Sequence, residues 1–185
     1  MMRRGVMYKR TSVATLLFFA LHAGGCTSLE PSPMASVPDK LRTGANESLA
    51  IVVPAKGVQI YECRMKKDRS GAYEWAFVGP EAALYDRRGN PIGRHYAGPH
   101  WESTDGSKVL AKVKAHADAP AHGAIPWLLL EARSVGPTGA FSKVTSIQRA
   151  NTVGGVAPEN GCSHIAAGTT ARVPYTADYY FFTAR

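Results

Sequence analysis

The sequence predicts a single all-β domain, either a sandwich-like fold or a small barrel, with one long loop held by a disulfide. Three observations favour this fold. Apolar residues recur at every second position, which is the period of a half-buried strand and not of a helix. Turn-forming residues separate these segments at short intervals, as in sandwiches and barrels. Residues 49–185 are enough chain for one domain with one core.

The alternating segments can be justified in chain order. In the third of them, apolar residues from Val109 to Ala115 are predicted to face one way and the intervening lysines the other. Pro126 limits strand pairing at the start of the fourth. The last segment is apolar on both faces, so we expect both faces to be covered. The predicted strands are GVQIYEC (57–63), YEWAFV (73–78), SKVLAKVKA (107–115), IPWLLLEARSV (125–135), FSKVTSIQR (141–149) and TADYYFFTA (176–184).

Glycine, asparagine and aspartate mark the turns between these segments. Turn sequences occur at Asp86–Asn90, Thr104–Ser107 and Gly136–Gly139. The stretch from Asn151 to Ala171 has no strand pattern and is predicted to be a loop. Loops of this length are usually functional or tied down by a specific contact.

The N-terminal residues are typical of an export signal. Basic residues between Arg3 and Arg10 precede an apolar stretch, Val13–Leu21. That stretch is shorter than the roughly 20 residues that a membrane-spanning helix needs. Small residues follow it, which completes the layout of a secretory signal. Cys26 comes directly after them, and this arrangement resembles a bacterial lipoprotein signal.

We therefore predict a signal peptide over residues 1–25, lipidation of Cys26 and a flexible tether over residues 26–48. The domain would begin at residue 49. Thr27, in place of an aspartate, favours anchoring at the outer membrane on its periplasmic or surface face. An ordinary cleaved signal with an incidental cysteine is the alternative, and it would give a periplasmic or secreted protein.

The assignment of Cys26 determines which cysteines remain to form a disulfide. The chain has three cysteines, and lipid on Cys26 leaves Cys63 and Cys162. Compartments outside the cytoplasm are oxidising, so this pair is predicted to be a disulfide. Two buried free thiols are the alternative.

The charge gives little support for a nucleic-acid partner. The full chain carries 22 basic and 14 acidic residues, but four of the basic residues lie in the predicted signal. The remainder has 18 basic and 14 acidic residues, a net charge of +4. A nucleic-acid surface would also need aromatic residues among the basic ones. We therefore predict no nucleic-acid partner, and the oligomeric state stays open.

Five segments together resemble the domain of unknown function 3455 family of secreted bacterial and fungal proteins. The resemblance covers nearly the whole predicted domain and implies that Cys63 and Cys162 are the two core cysteines. It brings no established activity. Some fungal relatives carry a malate dehydrogenase label, but this chain has no G-x-G-x-x-G fingerprint between a strand and a helix, and we predict no cofactor. The segments are GVQIYEC (57–63), residues 79–109, AIPWLLLEA (124–132), IQRANTVGGVAPENGC (147–162) and VPYTADYYF (173–181).

The stretch GRHYAGPHWESTDGSKV concentrates the candidate chemistry. On an extended chain, His100 and Glu102 point to the same face, which suits two ligands of one ion. With His95 and His164, a nitrogen and oxygen set for zinc or copper could assemble. The spacing matches no metal motif, so these four residues are weak candidates and we predict no metal.

An acid–base site is a second hypothesis. His95, His100, Glu102 and Asp105 could transfer protons near neutral pH in an exported hydrolase-like or metal-dependent enzyme. No G-x-S-x-G nucleophile motif is present. In TDGS, Asp105 is also a natural turn former ahead of Gly106.

A binding surface is the function that we favour from sequence. Aromatic faces beside amide and guanidinium donors suit a sugar, a peptide or a component of the cell envelope. A buried hydrogen-bond network that fixes the long loop would also explain the polar residues after Ile147. The candidate binding residues are His95, His100, Trp101, Glu102, Asp105, Gln148, Arg149 and Asn151.

Overall fold

The computed structural model describes residues 37–68 and 71–185. Eight strands make up most of this part of the chain, with short 3-10 helices at Asp39–Leu41 and His164–Ala166. The strands are β1 (Glu47–Met65), β2 (Tyr73–Tyr85), β3 (Pro91–Tyr96), β4 (His100–Ser103), β5 (Lys108–Ala117), β6 (Trp127–Ser134), β7 (Val144–Gly154) and β8 (Thr170–Ala184).

The eight strands form one closed barrel in chain order. Each strand is antiparallel to its neighbours, and β8 returns to pair with β1 along most of its length. The prediction of an all-β domain is therefore confirmed. Of the two predicted architectures, a sandwich-like fold and a small barrel, the molecule adopts the barrel. Closure pairs the first and last strands of the sheet, β1 and β8, with each other, so that neither is an edge strand.

The barrel interior is one apolar core. Alternate residues of each strand point inward, so β1 contributes Val53 and Ala55, and β8 contributes Tyr179 and Phe181. Phe141, from the connection between β6 and β7, packs edge-on against Phe181 with the ring centroids 4.8 Å apart. Edge-to-face pairs of this kind add to the free energy of apolar burial.

A second apolar cluster covers part of the outside of the barrel. It explains why β8 is apolar on both faces, because Tyr180 and Phe182 point outward into it. Trp127 belongs to this cluster and not to the barrel interior. Leu41, from the first 3-10 helix, covers the cluster and is fully buried.

The described part of the predicted tether contacts the barrel through Val37 and Leu41, and β1 begins at Glu47, two residues before the predicted start of the domain. The reason is the apolar side chain of Leu41, which is buried on the outer cluster, while Gln148 donates a hydrogen bond to its carbonyl oxygen at 2.6 Å. The signal peptide and Cys26 lie outside the described residues.

β-Bulges change which residues face the core. The register of β5 and β6 shifts between Val113 and Ala115. Val113 pairs with the core residue Leu130 and faces the barrel interior as predicted, whereas Ala115 pairs with Leu129 and packs on the outer cluster although alternation predicted an inward position. β7 and β8 also extend further than predicted, and they shorten the expected 151–171 loop to residues 155–169. β3 and β4 were missed as strands because they are short and polar.

The predicted disulfide between Cys63 and Cys162 is confirmed, with a Cα–Cα distance of 5.3 Å that is normal for such a bond. It fixes the 155–169 connection on the end of the β1–β2 hairpin. Backbone hydrogen bonds between Cys63 and residues 168 and 169 strengthen this attachment. Within the described residues, no helix has the length and apolar character needed to cross a membrane.

Candidate functional site

The antiparallel order of the strands gives the barrel two different ends. Short turns join β2 to β3 and β4 to β5 at one end, which we call the turn end. The tip of the β1–β2 hairpin, the β3–β4 turn and the 155–169 connection lie at the other end, which we call the loop end. A cavity of about 360 Å³ opens at the loop end. Its volume lies at the small end of the range for small-molecule sites.

The cavity wall is mainly apolar, and all eight strands contribute residues to it. It includes Leu128 and Leu130 from β6 and the ring of Tyr179 from β8. The exposed side chains of Phe77, Val78 and Val113 form its rim. A largely apolar ligand would therefore meet apolar surface both at the entrance and inside.

Two buried side chains in the cavity wall each carry a nitrogen without a hydrogen bond of normal geometry. Trp101 is 1 % exposed, and its indole Nε1 has no partner; Gln59 is 2 % exposed, and its Nε2 has the Tyr175 hydroxyl as its nearest polar neighbour but does not form a hydrogen bond of normal geometry with it. These statements hold within the part of the chain that the structure describes. Leaving a buried donor unpaired costs about 1–3 kcal/mol, so native proteins rarely keep one without a reason.

A single glycine accounts for the close packing above Gln59. Gly155 has a positive φ of 86°, a region that favours glycine. A Cβ atom at this position would lie within 3.1 Å of the side chains of Tyr175, Ile125 and Gln59. Glycine here lets the start of the 155–169 connection approach the barrel mouth.

His95 is a neutral member of the cavity wall. Its ring stacks on Trp101 with centroids 4.0 Å apart, and its Nδ1 lies 2.8 Å from the carbonyl oxygen of His100. Because a carbonyl can only accept, Nδ1 carries the proton and Nε2 has the free lone pair. Burial lowers the pKa of His95 to about 3, and the hydrogen bond to His100 opposes this only partly. An imidazole with this pKa does not exchange protons near neutral pH.

Arg149 brings a positive charge to the same cavity. Its Nε and Nη2 both donate to the carbonyl oxygen of Pro126, at 3.1 and 2.8 Å. No described carboxylate forms an ion pair with it. Burial raises the pKa of the Tyr179 hydroxyl, and the nearby positive charge of Arg149 works against that rise.

A larger groove of about 680 Å³ lies beside the cavity but is more open to solvent. The groove and the cavity share Gly98, Pro99 and Val113, which form the boundary between them. Among the described residues, no unpaired buried polar atom lines the groove. We therefore identify the smaller cavity as the candidate site, because only it combines enclosure with unpaired donors.

The structure separates the four residues of the predicted acid–base cluster. His95 points into the barrel, whereas His100 and Glu102 lie on its outer face. Glu102 accepts hydrogen bonds from the Tyr96 hydroxyl at 2.6 Å and from Arg94 at 3.1 Å. These two contacts lower its pKa, so the carboxylate is held ionised by its neighbours. The predicted shared face of His100 and Glu102 exists, but it is a surface of paired side chains.

Asp105 lies at the turn end, away from the cavity. Its carboxylate accepts hydrogen bonds from the backbone and hydroxyl of Ser107 at 2.9 and 2.6 Å and from the Ala140 amide at 2.8 Å. These contacts hold its pKa well below the usual range, with the Ser107 hydroxyl the largest cause. Asp105 therefore joins the β4–β5 turn to the β6–β7 connection, which is a structural role.

Of the polar residues after Ile147, only Arg149 reaches the cavity. Gln148 points outward to Leu41, and Asn151 donates to the Asp178 carboxylate at 2.8 Å and to the Tyr180 hydroxyl at 3.1 Å. Asn151 has a positive φ of 50°, which asparagine tolerates better than most residues, and it lies in a bulge of β7. The network that we considered as an alternative explanation is thus present for Gln148 and Asn151.

The weak metal candidates are not brought together. His164 lies in the second 3-10 helix, edge-on to Tyr73, while His95 is inside the barrel. Within residues 37–68 and 71–185, no group of three or more histidine, cysteine, aspartate or glutamate side chains is arranged to hold a metal ion.

Sequence reasoning missed Gln59, Tyr179 and the two leucines of β6 as cavity residues. Gln59 alternates with apolar neighbours in GVQIYEC and shares a face with Tyr61. That pattern marks a polar side chain on one face of a strand, but only the register shows that this face is the inner one.

The fold and the site define a class of protein: an eight-stranded antiparallel barrel with a small, mainly apolar cavity at one end. The chain belongs to the family described as "Protein of unknown function (DUF3455)", whose family model matches residues 44–183. The resemblance seen in the sequence is therefore confirmed. No curated protein and no solved structure matches the chain.

Proposed function

We propose that this protein is an exported envelope lipoprotein that binds a small, largely apolar molecule in the loop-end cavity and performs no catalysis of its own. The observation that carries the proposal is the pair of unpaired buried donors, Gln59 Nε2 and Trp101 Nε1, in the wall of one cavity. A bound molecule with acceptor atoms would satisfy both donors and recover the free energy that their burial costs.

Several features favour binding over catalysis at this site. The only histidine in the cavity wall is neutral and resists protonation, and the wall contains no aspartate or glutamate. The apolar surface of Leu128 and Leu130 suits a component of the envelope with a hydrocarbon or aromatic body better than it suits a sugar.

Filling the cavity is expected to abolish this binding. Leu128 is half-buried in the cavity wall, and the larger indole of Leu128→Trp would occupy the space of the ligand. We expect the neutral fluorescent probe N-phenyl-1-naphthylamine to bind the wild-type protein with one site and to bind Leu128→Trp on the order of tenfold more weakly, about 1.4 kcal/mol. Fluorescence titration measures both affinities.

Leu49→Trp provides the matched control, since Leu49 lies on β1 and is exposed outside the barrel. This variant should bind the probe as the wild type does. Failure of the wild-type protein to bind the probe, or equal affinity for wild type and Leu128→Trp, would show that the cavity is not a binding site.

Lipid attachment at Cys26 can be tested separately. Export and lipidation are supported by the N-terminal sequence and by the disulfide, which is typical of oxidising compartments. In cells supplied with labelled palmitate, we expect the wild-type protein to incorporate label and Cys26→Ser to incorporate none. Thr27→Ser keeps the cysteine and should be labelled normally. Equal labelling of Cys26→Ser would refute lipidation at this position.

A further inference from the structure

Three polar side chains of the cavity wall offer hydrogen-bond donors, and this restricts the chemical class of the ligand. Gln59 Nε2 and Trp101 Nε1 are hydrogen-bond donors without a partner among the described residues. Arg149 adds a guanidinium group, which has five N–H donors and cannot accept. Three different strands, β1, β4 and β7, thus direct donors at one small space.

The charge in this space is positive and has no protein counter-ion. Arg149 pairs with a neutral carbonyl, that of Pro126, and with no described carboxylate. These hydrogen bonds lie at an exposed position and use two of the five N–H groups of the guanidinium, which leaves donors available to a negatively charged ligand.

Three neighbouring groups, His95, Tyr175 and Tyr179, show that the charge of Arg149 acts on the interior of the barrel. Its charge opposes protonation of His95 and works against the rise in pKa that burial imposes on Tyr175 and Tyr179. His95 itself is neutral because burial disfavours the charged imidazolium and lowers its pKa, although its Nδ1–H donates to the His100 carbonyl. The cavity wall contains no aspartate or glutamate, so no negatively charged side chain there would repel an anion.

We infer that the natural ligand is an amphipathic carboxylate, with its anionic group beside Arg149, Gln59 and Trp101 and its apolar body against Leu128 and Leu130. This inference rests on the proposed function and adds the charge of the ligand to it. A carboxylate has two oxygens and about four acceptor positions, which matches a guanidinium and two further donors. Arginine is the side chain best suited to such a group, because it can form two parallel hydrogen bonds.

The apolar surroundings give the ligand its second property. The wall leucines and the exposed rim residues Phe77 and Val113 present hydrocarbon surface along the path into the cavity. Inorganic phosphate or acetate would use the donors but leave this surface wet. A ten-carbon acid would contact both the donors and the apolar surface. It can also be compared with analogues of equal chain length.

The experiment compares decanoate, 1-decanol and decyltrimethylammonium, which share a chain and differ in charge. For the full-length wild-type protein, we expect decanoate to displace N-phenyl-1-naphthylamine at a concentration at least about tenfold lower than 1-decanol, and the cation to be the weakest of the three. Acetate should not displace the probe. Equal affinity for decanoate and 1-decanol would overturn the inference and leave the proposed function standing.

Variants assign the preference to Arg149. Arg149→Gln should lose the advantage of decanoate over 1-decanol while still binding the alcohol, and Arg149→Lys should retain part of it because it keeps the charge. Arg133→Gln makes the same change on the exposed face of β6, outside the cavity, and should behave as the wild type. A decanoate preference that survives in Arg149→Gln would show that another group selects the ligand. The wild-type comparison stands even if Arg149→Gln does not fold.

A further outcome is that none of the three ten-carbon compounds binds to the protein. If the neutral probe binds to the wild-type protein but no ten-carbon compound displaces it, the amphipathic carboxylate is wrong and the cavity still binds apolar molecules. If the probe does not bind either, the proposed function itself fails.

Discussion

Removal of the Cys63–Cys162 disulfide is expected to lower the free energy of unfolding by about 4–5 kcal/mol. The bond joins residues that are 99 positions apart, so it restricts the unfolded chain strongly. A typical domain has a total stability of only about 5–15 kcal/mol. The double variant Cys63→Ala, Cys162→Ala should therefore be close to unfolding at physiological temperature. Alanine is the better replacement because Cys63 is fully buried, where a serine hydroxyl would need a partner.

Urea denaturation of the oxidised protein, the reduced protein and the double variant would measure this effect. The reduced protein and the double variant should unfold at similar urea concentrations, both well below the oxidised protein. A variant that matches the oxidised protein would mean that backbone contacts alone hold the 155–169 connection. Those contacts include the bonds from the Cys63 amide to the Thr169 carbonyl and from the Gly168 amide to the Cys63 carbonyl.

The bond also has a consequence for the loop-end cavity. The connection that it fixes starts at Gly155, whose carbonyl accepts a hydrogen bond from the Tyr61 hydroxyl at 2.6 Å, and which lies close to Gln59. Holding residue 162 on β1 therefore helps to keep the start of the connection beside Gln59, a residue of the cavity wall. We expect reduction of the disulfide to loosen the chain at this point.

The sequence allowed the class of fold to be predicted, because alternation and turn residues are local properties. The period of two is visible in residues 107–115 and 176–184, and the turn at Thr104–Ser107 is where TDGS places it. Barrel closure could not be predicted, because it depends on the pairing of β1 with β8 across the whole chain. Nor could the bulge at Lys114 be predicted, since nothing in VLAKVKA shows which residue is skipped in the pairing.

The candidate site was predicted less completely than the fold. His95, Trp101 and Arg149 were among the candidate residues and do lie in one cavity, whereas Glu102, Asp105 and Gln148 proved to have structural partners. We grouped His95 with Glu102 because they are close in the sequence. Consecutive residues of a strand point to opposite faces, however, so closeness in the sequence does not put two side chains on one face. The inner face is decided by register over the whole barrel, which no short segment contains.

Trp101 offers a test that separates its packing from its unpaired donor. It is fully buried, stacks on His95 and contacts the Tyr179 ring edge-on at 5.3 Å. Truncation in Trp101→Ala is expected to lower the free energy of unfolding by about 3–5 kcal/mol, as for other large-to-small core substitutions. The new space would join the existing cavity, so the neighbouring rings would lose a packing partner on one side.

Trp101→Phe keeps an aromatic ring in this position but removes the indole N–H. The smaller ring leaves part of the indole space empty, which should cost less than the full truncation to alanine. Removing an unpaired buried donor returns about 1–3 kcal/mol, so the two effects oppose each other, and we expect Trp101→Phe to be clearly more stable than Trp101→Ala in the ligand-free protein. The same variant should bind decanoate more weakly, because one of the three donors is gone. Urea denaturation and probe displacement measure the two quantities independently. If Trp101→Phe were as unstable as Trp101→Ala, the indole N–H would be satisfied within the fold, and the main support for a bound ligand would be lost.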